Sequence, residues 1–252
     1  MHKDVVIVGA GISGIAAGYN LKKTCPNKSF CILEGRDSIG GTWDLFKYPG
    51  IRSDSDMHTL GYRFKPWIHD KSIADGPSIL EYIKETIEEN DLKKDILVNH
   101  KVKSSNWNSH KNVWELEIDE NDKLKHITCN FLFLCGGYYS YTKPHMPSFK
   151  NQENFAGQII HPQFWSDDVD YVDKKVAVIG SGATAITIVP AISEKAKHVT
   201  MIQRSPTYVV SGPSEDKINK FLRRFLPTKV TYFLIRWKNI LWQSFTFSLA
   251  RR

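Results

Sequence analysis

One arrangement occurs twice in this 252-residue chain, and it limits the possible folds more than any other feature. A short apolar run ends at a glycine turn, small and apolar residues follow at helical spacing, and a second apolar run comes next. The first copy comprises residues 4–8, the turn Gly9-Ala10-Gly11-Ile12-Ser13-Gly14, residues 12–23 and residues 29–33. The second comprises residues 175–179, the turn Gly180-Ser181-Gly182-Ala183-Thr184-Ala185, residues 183–196 and residues 198–202. Continuous apolar runs suit strands buried on both faces of a parallel sheet. Each copy therefore predicts a βαβ unit, and together they predict an α/β protein with two Rossmann-like units.

The turns carry chemistry as well as geometry. In a GxGxxG between strand and helix, Gly9 permits the tight turn, Gly11 lets the backbone approach a pyrophosphate, and Gly14 lets the helix lie close to the strand. The helix N-terminus, at Ser13 and its neighbours, offers free N–H groups and a positive dipole end to phosphates. Glu34 ends the next strand, 20 residues after Gly14, where a carboxylate accepts hydrogen bonds from ribose hydroxyls. The second turn is a GxGxxA, and Arg204-Ser205 falls where Glu34 falls in the first copy: 24 positions from Gly180, against 25 from Gly9. A guanidinium there clamps a 2′-phosphate, which a carboxylate would repel. The first site thus suits a dinucleotide with free ribose hydroxyls, the second suits NADP, and the two together imply electron transfer between a flavin and a nicotinamide.

The rest of the chain reads as connection and cover. Residues 35–76 are rich in Gly, Pro, Asp and Ser and read as a long functional loop. Residues 79–89 predict an amphipathic helix; 96–102, 114–118 and 127–134 predict strands of a small β-rich insertion. A Pro- and Asn-containing connector over 138–154 divides the chain into segments 1–150, 151–215 and 216–252. The net charge of +7 is concentrated in the last segment, because residues 217–252 hold nine basic groups and no acid. The first 216 residues hold 25 basic against 27 acidic groups, a balance that speaks against nucleic-acid binding. No uncharged run near the end is long enough to span a bilayer, although the basic, apolar tail can lie on an anionic membrane surface. Four cysteines without CxxC or zinc spacing predict no metal site, thiols buried at Cys31, Cys129 and Cys135, and a reducing, cytoplasmic setting.

Two further motifs lie between the glycine turns. Gly40-Gly41-Thr42-Trp43 followed by Tyr48-Pro49-Gly50-Ile51-Arg52-Ser53-Asp54 resembles the GGxWxxxx(F/Y)PGxxxD pattern of class B flavin monooxygenases of the Baeyer–Villiger type. Phe155-Ala156-Gly157, with His161 and Trp165, resembles the same family's FxGxxxHxxxW fingerprint, departing from it where Ser166 precedes Asp167. Within that family the stretches 41–61, 131–134 and 178–208 look closest to the ethionamide-activating monooxygenases.

The resemblance implies FAD on the first unit, NADP on the second, and insertion of one oxygen atom from molecular oxygen into a ketone or a thioether through a flavin peroxide. It also implies site residues. Ser13, Glu34, Thr42, Trp43, Asp44, Leu45 and Asp54 would contact FAD, and the backbone of Val102, at the carboxyl end of a strand, would touch the adenine. Arg52, Ser53 and Asp54 would face both nucleotides; read from its chemistry alone, Asp54 can accept a hydrogen bond from, and orient, Arg52 or a flavin-site group, which makes Arg52 and Asp54 the catalytic candidates. Gly180 to Ala185, Arg204 and Ser205 would hold NADP. Family members continue well beyond the equivalent of residue 252, so the resemblance covers an N-terminal part. A silent nucleotide-binding remnant, attached to a membrane or partner through its tail, is the alternative.

Overall fold

In a computed structural model, residues 1–205, 209 and 212–250 are described. They fall in two compact units, Met1–Lys47 with Pro77–Trp165, and Tyr48–Gly76 with Ser166–Arg252. By compactness, residues 48–76 and the tail group with the second unit. Pro206, Thr207, Tyr208, Arg251 and Arg252, which entered the sequence argument, lie outside the described residues.

The first unit is built on a six-stranded sheet. Its strands are β1 (His2–Val8), β2 (Phe30–Leu33), β3 (Ile96–Leu97), β4 (His100–Asn108), β5 (Val113–Glu120) and β6 (Lys123–Leu134), in the order β3-β2-β1-β6-β5-β4. β1, β2, β3 and β6 run parallel, and β6, β5 and β4 form an antiparallel meander. Helix α1 (Ile12–Thr24) joins β1 to β2, as the first apolar–glycine–apolar pattern requires. Val6, Cys31, Leu33, Leu116, Ile118, Ile127 and Cys129 form one buried cluster that joins the parallel and antiparallel parts. Short α2 (Thr42–Leu45) and long α4 (Gly76–Glu89) follow β2; α4 buries Ile79, Tyr82, Ile83 and Ile87, the stripe its periodicity predicts.

Three expectations need correction here. The predicted strand 96–102 is two strands, β3 and β4, separated by Asn99 at φ +57°, a left-handed conformation that Asn tolerates. The break accompanies a change of neighbour: β3 pairs with β2 at one end of the strand order and β4 with β5 at the other. Val102 consequently stands near the start of β4, beside a bulge, and not at a strand's carboxyl end. Finally, Cys31 and Cys129 are buried but Cys135 is only half-buried, because Phe131, Phe133 and Leu134 of the same strand end face solvent.

The second unit contains β7 (Lys175–Ile179), α5 (Ala183–Ser193) and β8 (His198–Ile202), with β7 and β8 parallel. The expected burial of β7 is not met. Ile179 is 60% exposed, because the sheet has only two strands among the described residues and its outward face is uncovered. The segment read as a loop also contains α3 (Met57–Leu60), capped by Asp56, whose side chain accepts from the Thr59 N–H. The tail forms α6 (Lys217–Leu222) and α7 (Thr228–Ala250). α7 lies on α3: Asn239 and Gln243 donate to Asp56 at 2.8 and 2.9 Å, and Arg236 donates to the His58 carbonyl at 2.6 Å. No described helix is long and apolar enough to cross a membrane.

His58 is fully buried, and neither ring nitrogen has a hydrogen-bond partner. Burial holds its pKa below the usual 6.5; Asp56 and Asp216 pull it back up, while Lys238 and Arg223 push it down. The unfolded chain therefore takes up this proton before the folded one does, and stability should fall as pH drops through 6.5 until the folded pKa is reached. His58→Leu should flatten that loss between pH 7 and about 5 in urea midpoints, and an unchanged slope would refute it.

Candidate functional site

The first glycine turn opens at the carboxyl end of the parallel strands, where open α/β sheets bind ligands. Its register is set by the sheet: the Gly9 N–H donates to the Leu33 carbonyl at 2.7 Å, and the Cys135 N–H donates to the Val8 carbonyl at 2.8 Å. Gly9 adopts φ +104°, and a Cβ there would stand 2.5 Å from the Cys135 carbonyl oxygen. A Cβ on Gly14 would stand 1.8 Å from the Gly9 carbonyl oxygen, so α1 can approach the turn this closely only with glycine there. Gly11 is the N-cap of α1, and no side chain caps it, unlike α3 and α6, which Asp56 and Asp216 cap. A helix start whose N-cap residue has no side chain is the arrangement that lets a phosphate approach the helix N-terminus.

Glu34 is 98% buried. Its Oε2 accepts from the Ala10 N–H at 2.9 Å and its Oε1 from the Arg36 N–H at 3.1 Å. The carboxylate therefore ties the glycine turn to the end of β2, and each oxygen retains a lone pair for a further donor. Gly40-Gly41 closes the other side, with the Gly40 N–H donating to the Ala10 carbonyl at 3.0 Å. Thr42, Trp43, Asp44 and Leu45 form α2 directly after it, all half-buried. The Asp44 side chain is already engaged: Oδ2 accepts from Arg36 Nη2 at 2.5 Å and from Ser38 Oγ at 2.7 Å. Burial pushes that carboxyl up, but hydrogen bonds from Ser38 and Arg36, with the charges of Arg36 and Lys47, outweigh burial and hold it below the ordinary range. Although Val102 is not at a strand's carboxyl end, His100, two residues before it, donates its N–H to the Glu34 carbonyl at 2.8 Å, which keeps this part of β4 beside Glu34.

The second turn repeats the geometry. The Gly180 N–H donates to the Ile202 carbonyl at 2.9 Å, the counterpart of the Gly9–Leu33 bond. Gly182 caps α5 without a side chain, and a Cβ on Gly182 would meet nothing within 4 Å, leaving an open cradle in front of the helix. Ser181 and Thr184 are half-buried, Ala183 is exposed and Ala185 is buried. The register refines one expectation. Glu34 follows Leu33 directly, whereas Arg204 is the second residue after Ile202, so Gln203 holds the structural counterpart of Glu34. Arg204 and Ser205 stand exposed just past the strand end, beside the turn.

Arg52, Ser53 and Asp54 belong to the second unit. Ser53 is buried and structural: its N–H donates to the Ala74 carbonyl at 2.8 Å, and its Oγ accepts from the Ala74 N–H at 3.1 Å. Arg52 forms a backbone bridge with Asp75, and its side chain and that of Asp54 are exposed. The expected orienting bond from Asp54 to Arg52 is not formed among the described residues. Sequence reasoning passed over Arg36 and Tyr141, which meet at the first site with the guanidinium 5.1 Å from the ring centre. No motif or spacing flags a pair 105 positions apart.

Comparison with known proteins agrees with this geometry. The profile of the flavin-binding monooxygenase-like family matches residues 64–249, and that of an NAD(P)-binding Rossmann-like domain matches residues 7–69. The chain is 53% identical over its full length to the FAD-containing monooxygenase EthA of Mycobacterium tuberculosis, covering 52% of that protein. It is 50% identical to the probable FAD-binding monooxygenase AlmA of an Acinetobacter species, over 99% of this chain and 50% of AlmA. Among solved structures, an oxidized steroid monooxygenase bound to NADP superposes with a TM-score of 0.76 at 29% identity, over 92% of this chain and 43% of that one. An open form of cyclohexanone monooxygenase gives 0.74 at 25% identity, over 83% and 41%. The chain spans about half the length of the curated relatives it matches. With a family profile matched over most of its residues, the chain belongs to the flavin-binding monooxygenase-like family.

Proposed function

We propose that this chain supplies the FAD- and NADPH-binding part of a monooxygenase that oxidises ketones to esters or thioethers to sulfoxides, using molecular oxygen. The observation that carries this reading is the contrast between the two turns: a buried carboxylate at the end of β2 and an exposed guanidinium past the end of β8. FAD, when bound, supplies the oxygen-activating chemistry. The protein's part is to bind and select. The uncapped N-terminus of α1, the spare lone pairs of Glu34 and the Gly40-Gly41 turn fit a dinucleotide whose ribose hydroxyls are free. The open cradle at Gly182 and the charge of Arg204, with Ser205 beside it, fit a 2′-phosphorylated one. Segments 1–150 and 151–215 act as the FAD and NADP parts, Arg52 and Asp54 face the reacting groups, and four unpaired cysteines support a reducing, cytoplasmic setting.

The test is to load the purified chain with FAD, follow flavin absorbance, and add NADPH or NADH under air. NADPH should be the preferred reductant, and Arg204→Ala should remove about 2–3 kcal/mol of that preference, roughly 30- to 150-fold in relative affinity. A wild-type chain that retains no FAD, or that binds the two nicotinamides equally, would overturn the reading.

A further inference from the structure

The first nucleotide site holds a charged side chain that no motif assigns. Arg36 lies two residues beyond Glu34, with its side chain 19% exposed. Its Nη2 is fixed by Asp44, which Ser38 fixes in turn, and its guanidinium lies across the Tyr141 ring. Its own N–H is one of the two that hold the Glu34 carboxylate. Nε is different: it is buried and has no acceptor. An unmade buried donor on a charged group is costly, and a desolvated ion pair is favourable only when its remaining hydrogen bonds are completed. Three side chains thus hold one guanidinium in place beside Glu34, and of its five N–H groups only one on Nη2 is engaged by a hydrogen bond among the described residues.

We infer that Arg36 is a second recognition residue for the adenosine half of the cofactor, an unengaged N–H of its guanidinium donating to an oxygen of the ribose or of the adjoining phosphate. The inference rests on the proposal that the first site takes FAD. Asp44 and Ser38 are positioning residues in this arrangement: they hold the guanidinium and cancel its charge. Two carboxylates, Glu34 and Asp44, then balance Arg36 and Lys47, whose Nζ lies 3.9 Å from Asp44, so the site carries no excess of positive charge. Arg36 recognises the free ribose end without attracting a 2′-phosphate. Arg204, exposed at the other turn, takes the opposite part.

The experiment compares wild type, Arg36→Ala and Arg36→Lys by calorimetric titration with FAD and with ADP, which carries the adenosine and both phosphates but no flavin. Arg36→Lys keeps a cation for Asp44 but lacks the further N–H donors of the guanidinium fork, and it covers the case in which Arg36→Ala fails to fold. Both variants should lose about tenfold or more in affinity for FAD, and the same factor for ADP. Wild-type affinities retained in Arg36→Lys would overturn the inference, because charge alone would then suffice. A loss for FAD without a loss for ADP would also overturn it, since the contact would not lie in the adenosine half. A wild-type chain that binds neither ligand would refute the flavin site itself. One that binds both, alongside variants that bind equally well, would refute only the role of Arg36.

Discussion

Gly14→Ala should destabilise the chain by about 3–5 kcal/mol, a cost in the range reserved for strain that the structure cannot relieve. The added Cβ would stand 1.8 Å from the Gly9 carbonyl oxygen and 3.0 Å from its carbon. Both are backbone atoms, and the Gly9 N–H is held by the sheet, so no rotamer change makes room. The helix would have to lift from the turn, which takes Ile15 out of the core and moves the N-terminus of α1 away from any phosphate it could bind. Ala185, at the corresponding place in the second turn, already carries that methyl while buried, so Ala185→Gly should cost only about 1–2 kcal/mol, the helix-propensity difference plus one buried methyl. Denaturant midpoints of the two variants decide the matter: a Gly14→Ala loss no larger than that of Ala185→Gly would show that the close approach is not structural.

Glu34→Ala should act twice. It leaves the buried Ala10 N–H and the part-buried Arg36 N–H without their acceptor, for about 2–6 kcal/mol of stability at about 1–3 kcal/mol per unmade bond. It also removes the carboxylate offered to the ribose, for a further loss of about 1.5–3 kcal/mol, or roughly 10- to 150-fold, in FAD affinity. Glu34→Gln separates the effects, because one amide oxygen still accepts from the turn while the charge is gone. It should recover part of the stability and little of the affinity. The pair of measurements is a denaturation curve and an FAD titration of each variant. Unchanged FAD affinity in Glu34→Ala would remove the residue from the site, and unchanged stability would show that the turn does not depend on it.

Much of this architecture was legible in the sequence because its signals are local. An apolar run, a glycine with positive φ and a helical stripe each constrain the backbone within a few residues of where they are written. β7 and β8 span the expected residues, α1 differs from expectation by one residue at its end, and both glycine turns open at strand ends as the spacing implies. Where expectation failed, the missing information was which strand stands next to which. Residues 96–102 are apolar enough for one strand, but they pair with β2 before Asn99 and with β5 after it, at opposite ends of the strand order, so the run breaks at Asn99. Residues 48–76 carry few periodic apolar positions, yet Asp56 and His58 within them anchor α7, some 180 residues later.

The sequence by itself determined two dinucleotide turns and the opposite charges placed after them, because spacing along a strand–turn–helix leaves a side chain little choice of position. Only the tertiary structure decided how those charges are used. It buried Glu34 and made it a brace of its own turn, and register placed Arg204 one residue further out than Glu34. It also brought Arg36, Asp44 and Tyr141 to a single point. Such meetings depend on strand order and on loops closing over long separations. A guanidinium reads the same in sequence whether it ends in water or beside a buried carboxylate, and only the fold removes the water.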